Sequence, residues 1–176
     1  SQDEQDSRYY VQAAHIPCLE PVDSTEALRF ARDAYALSEE FDVPFMLRST
    51  VRISHTRTPV EPGSRVEAEA RPYEKDPSKW VMMPAYARPR RLAQLERIER
   101  LRQWADECPY NVVEEGSAEV GVVCSGAAYQ YVKEALPDAS VLKLGAVWPL
   151  PEGLLRRFAG MVDALYVADE ASSYLS

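Results

Sequence analysis

The run Val120-Gly121-Val122-Val123-Cys124 is apolar and mostly β-branched, and it stops at Ser125-Gly126, a dipeptide typical of tight turns. This pattern predicts a buried strand. Beyond the turn, helical and strand-like patterns alternate: a helix over 127–136, a strand over 141–147, a helix over 152–164 and a strand over 165–168. Strands separated by such helices pair in parallel through right-handed crossovers. Residues 116–176 are therefore predicted to form half of a doubly wound α/β sheet.

The first 62 residues contain the pattern of a helix followed by a short strand. Asp23-Ser24-Thr25-Glu26 is a capping-box pattern, and apolar residues at helical spacing follow it for about four turns. Asp42-Val43-Pro44 ends this helix, and Phe45-Met46-Leu47 predicts a short buried strand. Residues 48–55 are polar and basic, and they lie at the carboxyl end of that strand, where α/β proteins place their ligands.

Residues 63–115 differ from both flanking segments in their sequence pattern, and this pattern predicts a connector. Four prolines interrupt regular structure there: Pro72, Pro77, Pro84 and Pro89. One helix is predicted over 89–107, with an apolar edge of Leu92, Leu95, Ile98, Leu101 and Ala105. The chain is thus predicted to consist of three segments, at 1–62, 63–115 and 116–176.

The predicted connector helix carries a row of arginines on its outer face: Arg90, Arg91, Arg97, Arg100 and Arg102. Such a row is compatible with nucleic-acid binding. However, Glu96 and Glu99 interleave with it, and the formal net charge of the chain is -8. An acidic surface repels nucleic acid and anionic membranes. A solvated helix face is the favoured interpretation, and neither nucleic acid nor membrane is expected as a partner.

The three cysteines, Cys18, Cys108 and Cys124, are widely separated and form no C-x-x-C pair. They therefore lack the ligand spacing of a zinc site or an iron–sulfur cluster. An odd number of cysteines fits a reducing compartment, and neither a signal peptide nor an apolar run of membrane-spanning length is recognisable. A cytoplasmic protein is expected, with Cys124 as a small core residue.

Several polar side chains suit ligand chemistry. The backbone amides at Ser125-Gly126 suit an anion, but the glycine fingerprints of phosphate-binding loops are missing, so a plain tight turn is favoured. Arg48, Arg52 and Arg57 suit a carboxylate or phosphate, or they pair with carboxylates across a segment boundary. His55 either helps to bind an oxoacid or hydrogen-bonds a loop.

The acidic pair Asp169-Glu170 follows the last predicted strand. It is either a general acid–base pair or a contact between segments, and the contact is favoured because no nucleophile or second partner is identifiable. Neither His15 nor His55 has a second histidine or cysteine at metal-ligand spacing. The residues alone therefore assign no catalytic group and no metal ligand.

Short strings of the sequence match a known family in order. They are Ser1-Gln2-Asp3-Glu4-Gln5-Asp6-Ser7-Arg8, Ile16-Pro17, Leu19-Glu20-Pro21, Arg52-Ile53-Ser54-His55, Tyr73-Glu74-Lys75-Asp76-Pro77, residues 129–139, Leu142-Lys143-Leu144-Gly145 and Pro149-Leu150-Pro151. Through these strings the chain resembles the large (alpha) subunit of the indolepyruvate ferredoxin oxidoreductases, a branch of the thiamine-diphosphate-dependent 2-oxoacid:ferredoxin oxidoreductases. Asp3 stands where that family usually has asparagine, which leaves the identity of the 2-oxoacid open.

The resemblance implies an internal fragment of an enzyme that oxidatively decarboxylates aryl pyruvates, such as indolepyruvate, to aryl-acetyl-CoA and passes electrons to ferredoxin. Residues 1–62 would be the later part of a pyrimidine-binding-type domain with a parallel sheet. Residues 116–176 would be an incomplete transketolase-C-terminal-like α/β domain. The full-length enzyme would use thiamine diphosphate, Mg²⁺ and 4Fe–4S clusters. None of these is expected to bind this fragment, because the family residues that hold them have no equivalent here.

The fragment alone is therefore expected to be inactive and to contain no catalytic residue. The implied partners are the rest of the large subunit, the small (beta) subunit, ferredoxin and coenzyme A, in an oligomer. Three substrate-binding residues are expected: Arg8, which resembles an arginine near the oxoacid carboxylate in related enzymes, together with Arg52 and His55. The alternative is a non-catalytic interaction or scaffold protein derived from the same family.

Overall fold

A computed structural model describes residues 5–65, 67 and 72–175 of the chain. Asp3 and the rest of 1–4 lie outside these described residues. The elements follow in the order α1 (Arg8–Ala14), β1 (Cys18–Leu19), α2 (Ser24–Phe41), β2 (Met46–Leu47), α3 (Val51–His55), α4 (Pro77–Trp80), α5 (Pro84–Glu107), β3 (Val112–Glu114), β4 (Ser117–Ser125), α6 (Ala128–Ala135), β5 (Ala139–Leu144), β6 (Ala146–Trp148), α7 (Glu152–Ala159) and β7 (Ala164–Ala168).

The larger sheet has the strand order β3-β5-β4-β7. Strand β4 pairs in parallel with both β5 and β7, and the connections run through α6 and α7. Strand β3 adds an antiparallel edge, with Val112 opposite Lys143. The predicted α/β architecture with parallel strands is confirmed, and Cys124 is buried in its core as expected.

The smaller sheet has the order β2-β1-β6 and joins distant parts of the chain. Strand β1 pairs in parallel with β2 and antiparallel with β6. The prediction of one continuous strand over 141–147 was wrong, because the backbone changes sheets at Gly145. There the Gly145 amide bonds to the Tyr110 carbonyl at 3.1 Å and to the Asn111 side chain at 3.0 Å, and a Cβ would lie 2.6 Å from that carbonyl oxygen.

Helix α2 begins as the capping pattern predicted. The Asp23 side chain accepts from the Glu26 amide at 2.8 Å, and the Glu26 carboxylate accepts in return from the Val22 amide at 3.1 Å. The helix ends at Asp42, whose backbone is left-handed with φ 53°. The following strand was predicted to be buried, but Met46 and Leu47 are only half-buried because β2 is an edge strand.

Helix α5 is longer than predicted, because two of the four prolines begin helices instead of breaking them. Pro77 and Pro84 occupy the first turns of α4 and α5, where a backbone N–H would have no helical partner. Pro89 lies inside α5. The predicted apolar edge is correct only in its later half: Ile98, Leu101 and Ala105 are buried, whereas Leu92 and Leu95 are exposed.

Helix α7 ends five residues earlier than predicted, at Ala159, and Gly160 caps it. Its Phe158 joins Leu142, Leu144 and Trp148 in one core cluster. A second cluster packs α2 against α5 through Phe30 and Leu101 among others. Within the described part of the chain, no helix combines the length and the apolar character that crossing a membrane requires.

Candidate functional site

The carboxyl ends of four strands converge on one buried ionic cluster. Glu20 follows β1, Arg48 follows β2, Ser125 ends β4, and Asp169 follows β7. Because β1 runs parallel to β2 and β4 runs parallel to β7, each sheet brings its two polar residues to one edge. Arg8, at the start of α1, joins the two edges. This cluster lies where α/β folds place their ligands.

Arg8 is the centre of the cluster and is 0% exposed. Its Nη2 and Nε donate to the two Asp6 carboxylate oxygens at 2.6 and 2.8 Å, and its Nη1 donates to Asp169 Oδ1 at 2.6 Å. Nη2 also donates to the Glu170 carbonyl at 2.9 Å. The Tyr174 ring covers the guanidinium, with its centroid 4.8 Å from Cζ. In this arrangement the charge of Arg8 is balanced by protein carboxylates.

Arg48 and Glu20 form the second half of the cluster, and both are buried. Arg48 Nη1 donates to Glu20 Oε1, and the Ser125 hydroxyl donates to Glu20 Oε2 at 3.2 Å. Glu20 Oε2 also lies 3.9 Å from Arg8 Nη1, so the two arginines share this carboxylate. Together with Asp6 and Asp169 the cluster contains three carboxylates and two guanidinium groups.

The environment shifts the pKa values of the cluster in different directions. Burial alone would raise the pKa of Asp6, but hydrogen bonds from Arg8 and Ser172 lower it to about 2. Burial raises the pKa of Glu20, against the attraction of Arg48 and Arg8. Burial opposes the charge of Arg8, yet bonds to Asp6 and Asp169 raise its pKa. Asp6 and Arg8 are therefore held in their charged forms.

Arg52 lies at the rim of the cluster and is 61% exposed. Its Nη1 donates to the Tyr131 hydroxyl, its guanidinium lies over the Tyr131 ring at 5.3 Å, and its Nε is 3.4 Å from Glu170 Oε1. Nearby, the buried oxygens Glu170 Oε2 and Thr50 Oγ1 have no hydrogen-bond partner among the residues that the structure describes. Arg52 thus presents a partly neutralised cation to solvent.

The structure separates the predicted site residues. Arg8 is buried inside the cluster, Arg52 is exposed at its rim, and His55 is exposed at the end of α3. Arg48, Arg52 and Arg57 do not share one surface, because Arg48 is buried against Glu20 while Arg52 and Arg57 face solvent. The role of Arg8, Arg52 and His55 in substrate binding stays a prediction.

Two other predictions are confirmed. The favoured tight turn is present at Gly126, whose φ is +53°, and the Glu20 carboxylate lies against it. The Ser125 hydroxyl in this turn donates to the same carboxylate. Asp169 and Glu170 contact Arg8 and Arg52 of the first segment, as the favoured interpretation of this acidic pair expected.

Sequence reasoning did not identify Asp6, Glu20, Tyr131 or Tyr174 as parts of this region. A signal was available only for Glu20, which directly follows the apolar pair Cys18-Leu19 and so stands at a strand end. Tyr131 and Tyr174 lie more than 75 positions from the arginines that they contact. Asp6 is only two positions from Arg8, but it also accepts from Ser172 in the loop after β7. In the described ranges, no group of three or more His, Cys, Asp or Glu side chains is placed to hold a metal ion.

Known proteins share both the sequence and the fold of this chain. The indolepyruvate oxidoreductase subunit IorA of Methanothermobacter thermautotrophicus is 41% identical over 177 residues, which is 97% of this chain and 29% of that subunit. The IorA subunits of Methanothermobacter marburgensis and Archaeoglobus fulgidus are 38% and 36% identical over 99% of the chain. No family model matches.

Among solved structures, a 2-oxoglutarate:ferredoxin oxidoreductase from Magnetococcus marinus superposes with a TM-score of 0.60 over 93% of this chain and 37% of its own. At 15% identity this likeness shows the fold alone. The chain spans less than a third of the length of the curated relatives it matches. The sequence identity, colinear over nearly the whole chain, shows that the chain belongs to the family of the indolepyruvate oxidoreductase IorA subunits.

Proposed function

We propose that this chain is part of an enzyme that oxidatively decarboxylates aryl pyruvates, such as indolepyruvate, to aryl-acetyl-CoA with electron transfer to ferredoxin. The observation that carries the proposal is the 36–41% identity to indolepyruvate oxidoreductase subunits over 97–99% of the chain. The small (beta) subunit, ferredoxin and coenzyme A are the partners that follow from it. The chain contributes a folded scaffold and the ionic cluster at its strand ends.

The residues present do not fit the cofactors of such an enzyme. A 4Fe–4S cluster needs four thiolates, whereas the sequence has three cysteines, all buried and separate. In the described ranges, no three or more His, Cys, Asp or Glu side chains are grouped so that they could hold a metal ion. We infer that thiamine diphosphate, Mg²⁺ and the 4Fe–4S clusters are held by other parts of the enzyme.

Within this enzyme we assign the three segments 1–62, 63–115 and 116–176 as parts of a pyrimidine-binding-type domain, a connector and a transketolase-C-terminal-like domain. The parallel β1–β2 pair and the parallel β4, β5 and β7 strands support this assignment. Arg8, Arg52 and His55 are assigned to the oxoacid. The exposed guanidinium of Arg52 supports a role toward a carboxylate.

The test compares the longest natural polypeptide that contains these residues, purified with its partner subunit, with the 176-residue chain alone. The first should reduce a viologen dye when indolepyruvate, coenzyme A, thiamine diphosphate and Mg²⁺ are supplied together. The second should show neither turnover nor calorimetric binding of thiamine diphosphate. Turnover by the chain alone would contradict the proposal. An inactive natural polypeptide that comprises only these residues would support a non-catalytic scaffold.

A further inference from the structure

Residues 169–175 form a segment without helix or strand that passes over Arg8, and we call it the cover segment. It begins with Asp169, whose carboxylate accepts from Arg8 Nη1 at 2.6 Å. It continues through Ser172, whose hydroxyl donates to Asp6, to Tyr174, whose ring lies on the guanidinium. The cover segment is therefore a main reason why Arg8 is buried.

The cover segment places a carboxylate and an aromatic ring on one guanidinium. The Tyr174 ring lies 4.8 Å from Arg8 Cζ and packs edge-on against Tyr9 at 5.4 Å. Asp169 Oδ1 takes one side of the guanidinium fork. An aryl pyruvate likewise carries a carboxylate and an aromatic ring, joined through a methylene and a carbonyl group. Its carboxylate would replace that of Asp169 without changing the net charge around Arg8.

The construction of the cover segment suits displacement. Ala171 has φ +74°, a left-handed conformation that costs alanine about 1–2 kcal/mol. Ala171 and Ser173 are exposed, and the internal backbone bonds of the segment are short-range turns between alternate residues. The attachments include side-chain bonds to Asp6 and Arg8, the Arg52–Glu170 ion pair, a bond from the Tyr174 hydroxyl to the Val147 carbonyl at 3.4 Å, and the packing of Tyr174 and Leu175 on the core. Strained, locally bonded segments open more readily than strands and helices.

We propose that the cover segment is an internal mimic of an aryl 2-oxoacid, which blocks Arg8 until it is displaced. The proposal rests on the assignment of Arg8 to the oxoacid in the proposed function. The proposal adds a regulatory step at that site. Binding of the oxoacid requires the carboxylate of Asp169 and the ring of Tyr174 to move away from Arg8. While the cover segment is closed, Arg52 at the rim is exposed, and Arg8 becomes accessible only when the cover segment opens.

The test uses phenylglyoxal, which condenses with accessible guanidinium groups, and maps modified arginines by peptide mass spectrometry in the 176-residue chain. Ser172→Asp places a like charge beside Asp6 and should open the cover segment. Ser78→Asp is the matched control, because the Ser78 hydroxyl likewise bonds an aspartate, Asp76, far from the cover segment. Arg156, which is 77% exposed, is the internal reference.

Arg8 should react about tenfold faster in Ser172→Asp than in Ser78→Asp, relative to Arg156, while far-UV circular dichroism stays unchanged. Equal rates of Arg8 modification in the two folded variants would overturn the proposal that the cover segment blocks Arg8. If Ser172→Asp does not fold, Ser172→Ala replaces it, because this variant removes only the hydrogen bond to Asp6. It should accelerate the modification of Arg8 by a smaller factor. An unchanged rate of Arg8 modification in Ser172→Ala would equally contradict the proposal.

A second arm separates this inference from the proposed function. Phenylpyruvate added to Ser172→Asp should slow modification of Arg8 and leave that of Arg156 unchanged. If Arg8 becomes reactive in the variant but phenylpyruvate does not protect it, the cover segment exists and its role as a mimic of the oxoacid is overturned. Protection of Arg8 supports both the mimic and the assignment of Arg8 to the oxoacid.

Discussion

Gly126 shows how a single residue allows the buried cluster to form. Its φ of +53° is left-handed, and an added Cβ would lie 2.6 Å from Glu20 Oε1. We expect Gly126→Ala to lower the free energy of unfolding by about 2 kcal/mol or more, since backbone strain combines with displacement of a buried, hydrogen-bonded carboxylate. Urea denaturation followed by circular dichroism would measure the change.

The matched control is Gly160→Ala. An added Cβ there has its nearest neighbour at 3.5 Å, an ordinary contact, and the backbone is right-handed. This variant should differ from the original chain by less than about 0.5 kcal/mol. Similar losses in the two variants would show that the Gly126 turn does not constrain Glu20.

At the residue scale, the sequence predicts what local chemistry determines. The burial of Cys124 follows from its apolar neighbours, and the tight turn at Gly126 follows from its dipeptide. The partner of an ionisable residue cannot be predicted from local chemistry, because it depends on which strand ends lie next to each other in the fold. Arg8 lies more than 160 positions from Asp169, and only the tertiary fold brings the two side chains together.

At the scale of elements, α5 has two halves with different surroundings. Leu101 is 0% exposed against α2, whereas Leu92 is 61% exposed. We expect Leu101→Ala to lower the free energy of unfolding by about 2–5 kcal/mol, because it leaves a cavity in the core. Leu92→Ala, the same substitution on the same helix, should change it by less than about 0.5 kcal/mol. Urea midpoints of both variants would measure the difference.

Equal losses for Leu101→Ala and Leu92→Ala would mean that the early half of α5 is buried as well. The sequence predicted a continuous apolar edge, because periodicity shows which side chains lie on one face of the helix. It does not show whether another element packs against the whole length of that face. The sequence predicted the start of α2 correctly, because Asp23 and Glu26 bond to neighbouring backbone amides. It missed the start of α5, because it took Pro89 as the first helical residue, whereas Pro84 occupies the first turn and Pro89 lies inside the helix.

At the scale of the whole molecule, the ionic cluster links the two sheets and makes their union sensitive to acid. The pKa of Asp6 falls from 3.8 to about 2 in the folded chain. A carboxyl whose folded pKa is lowered stabilises the fold above its unfolded pKa, and this contribution disappears as the pH falls from about 4 to about 2. The raised pKa of Glu20 acts in the opposite direction, so a single-site comparison is needed.

We therefore expect Asp6→Asn to lower the urea midpoint clearly at about pH 6 and only slightly near pH 2, where the original chain has lost most of the stabilisation from its Asp6 carboxylate. Asp138→Asn, which removes the same charge from an exposed side chain, is the control. Urea titrations at the two pH values measure the effect. A loss that is independent of pH would mean that Asp6 acts through its shape rather than its charge.

Gly145 has a mechanical consequence for the two sheets. Leu144 ends a strand of one sheet and Ala146 begins a strand of the other, so this connection between the sheets is a single residue. The Asn111 side-chain oxygen accepts from the Gly145 and Ala146 amides at 3.0 and 2.9 Å. Because this connection is a single hydrogen-bonded residue, it provides no flexible segment that could act as a hinge. The two sheets should therefore move as one rigid block.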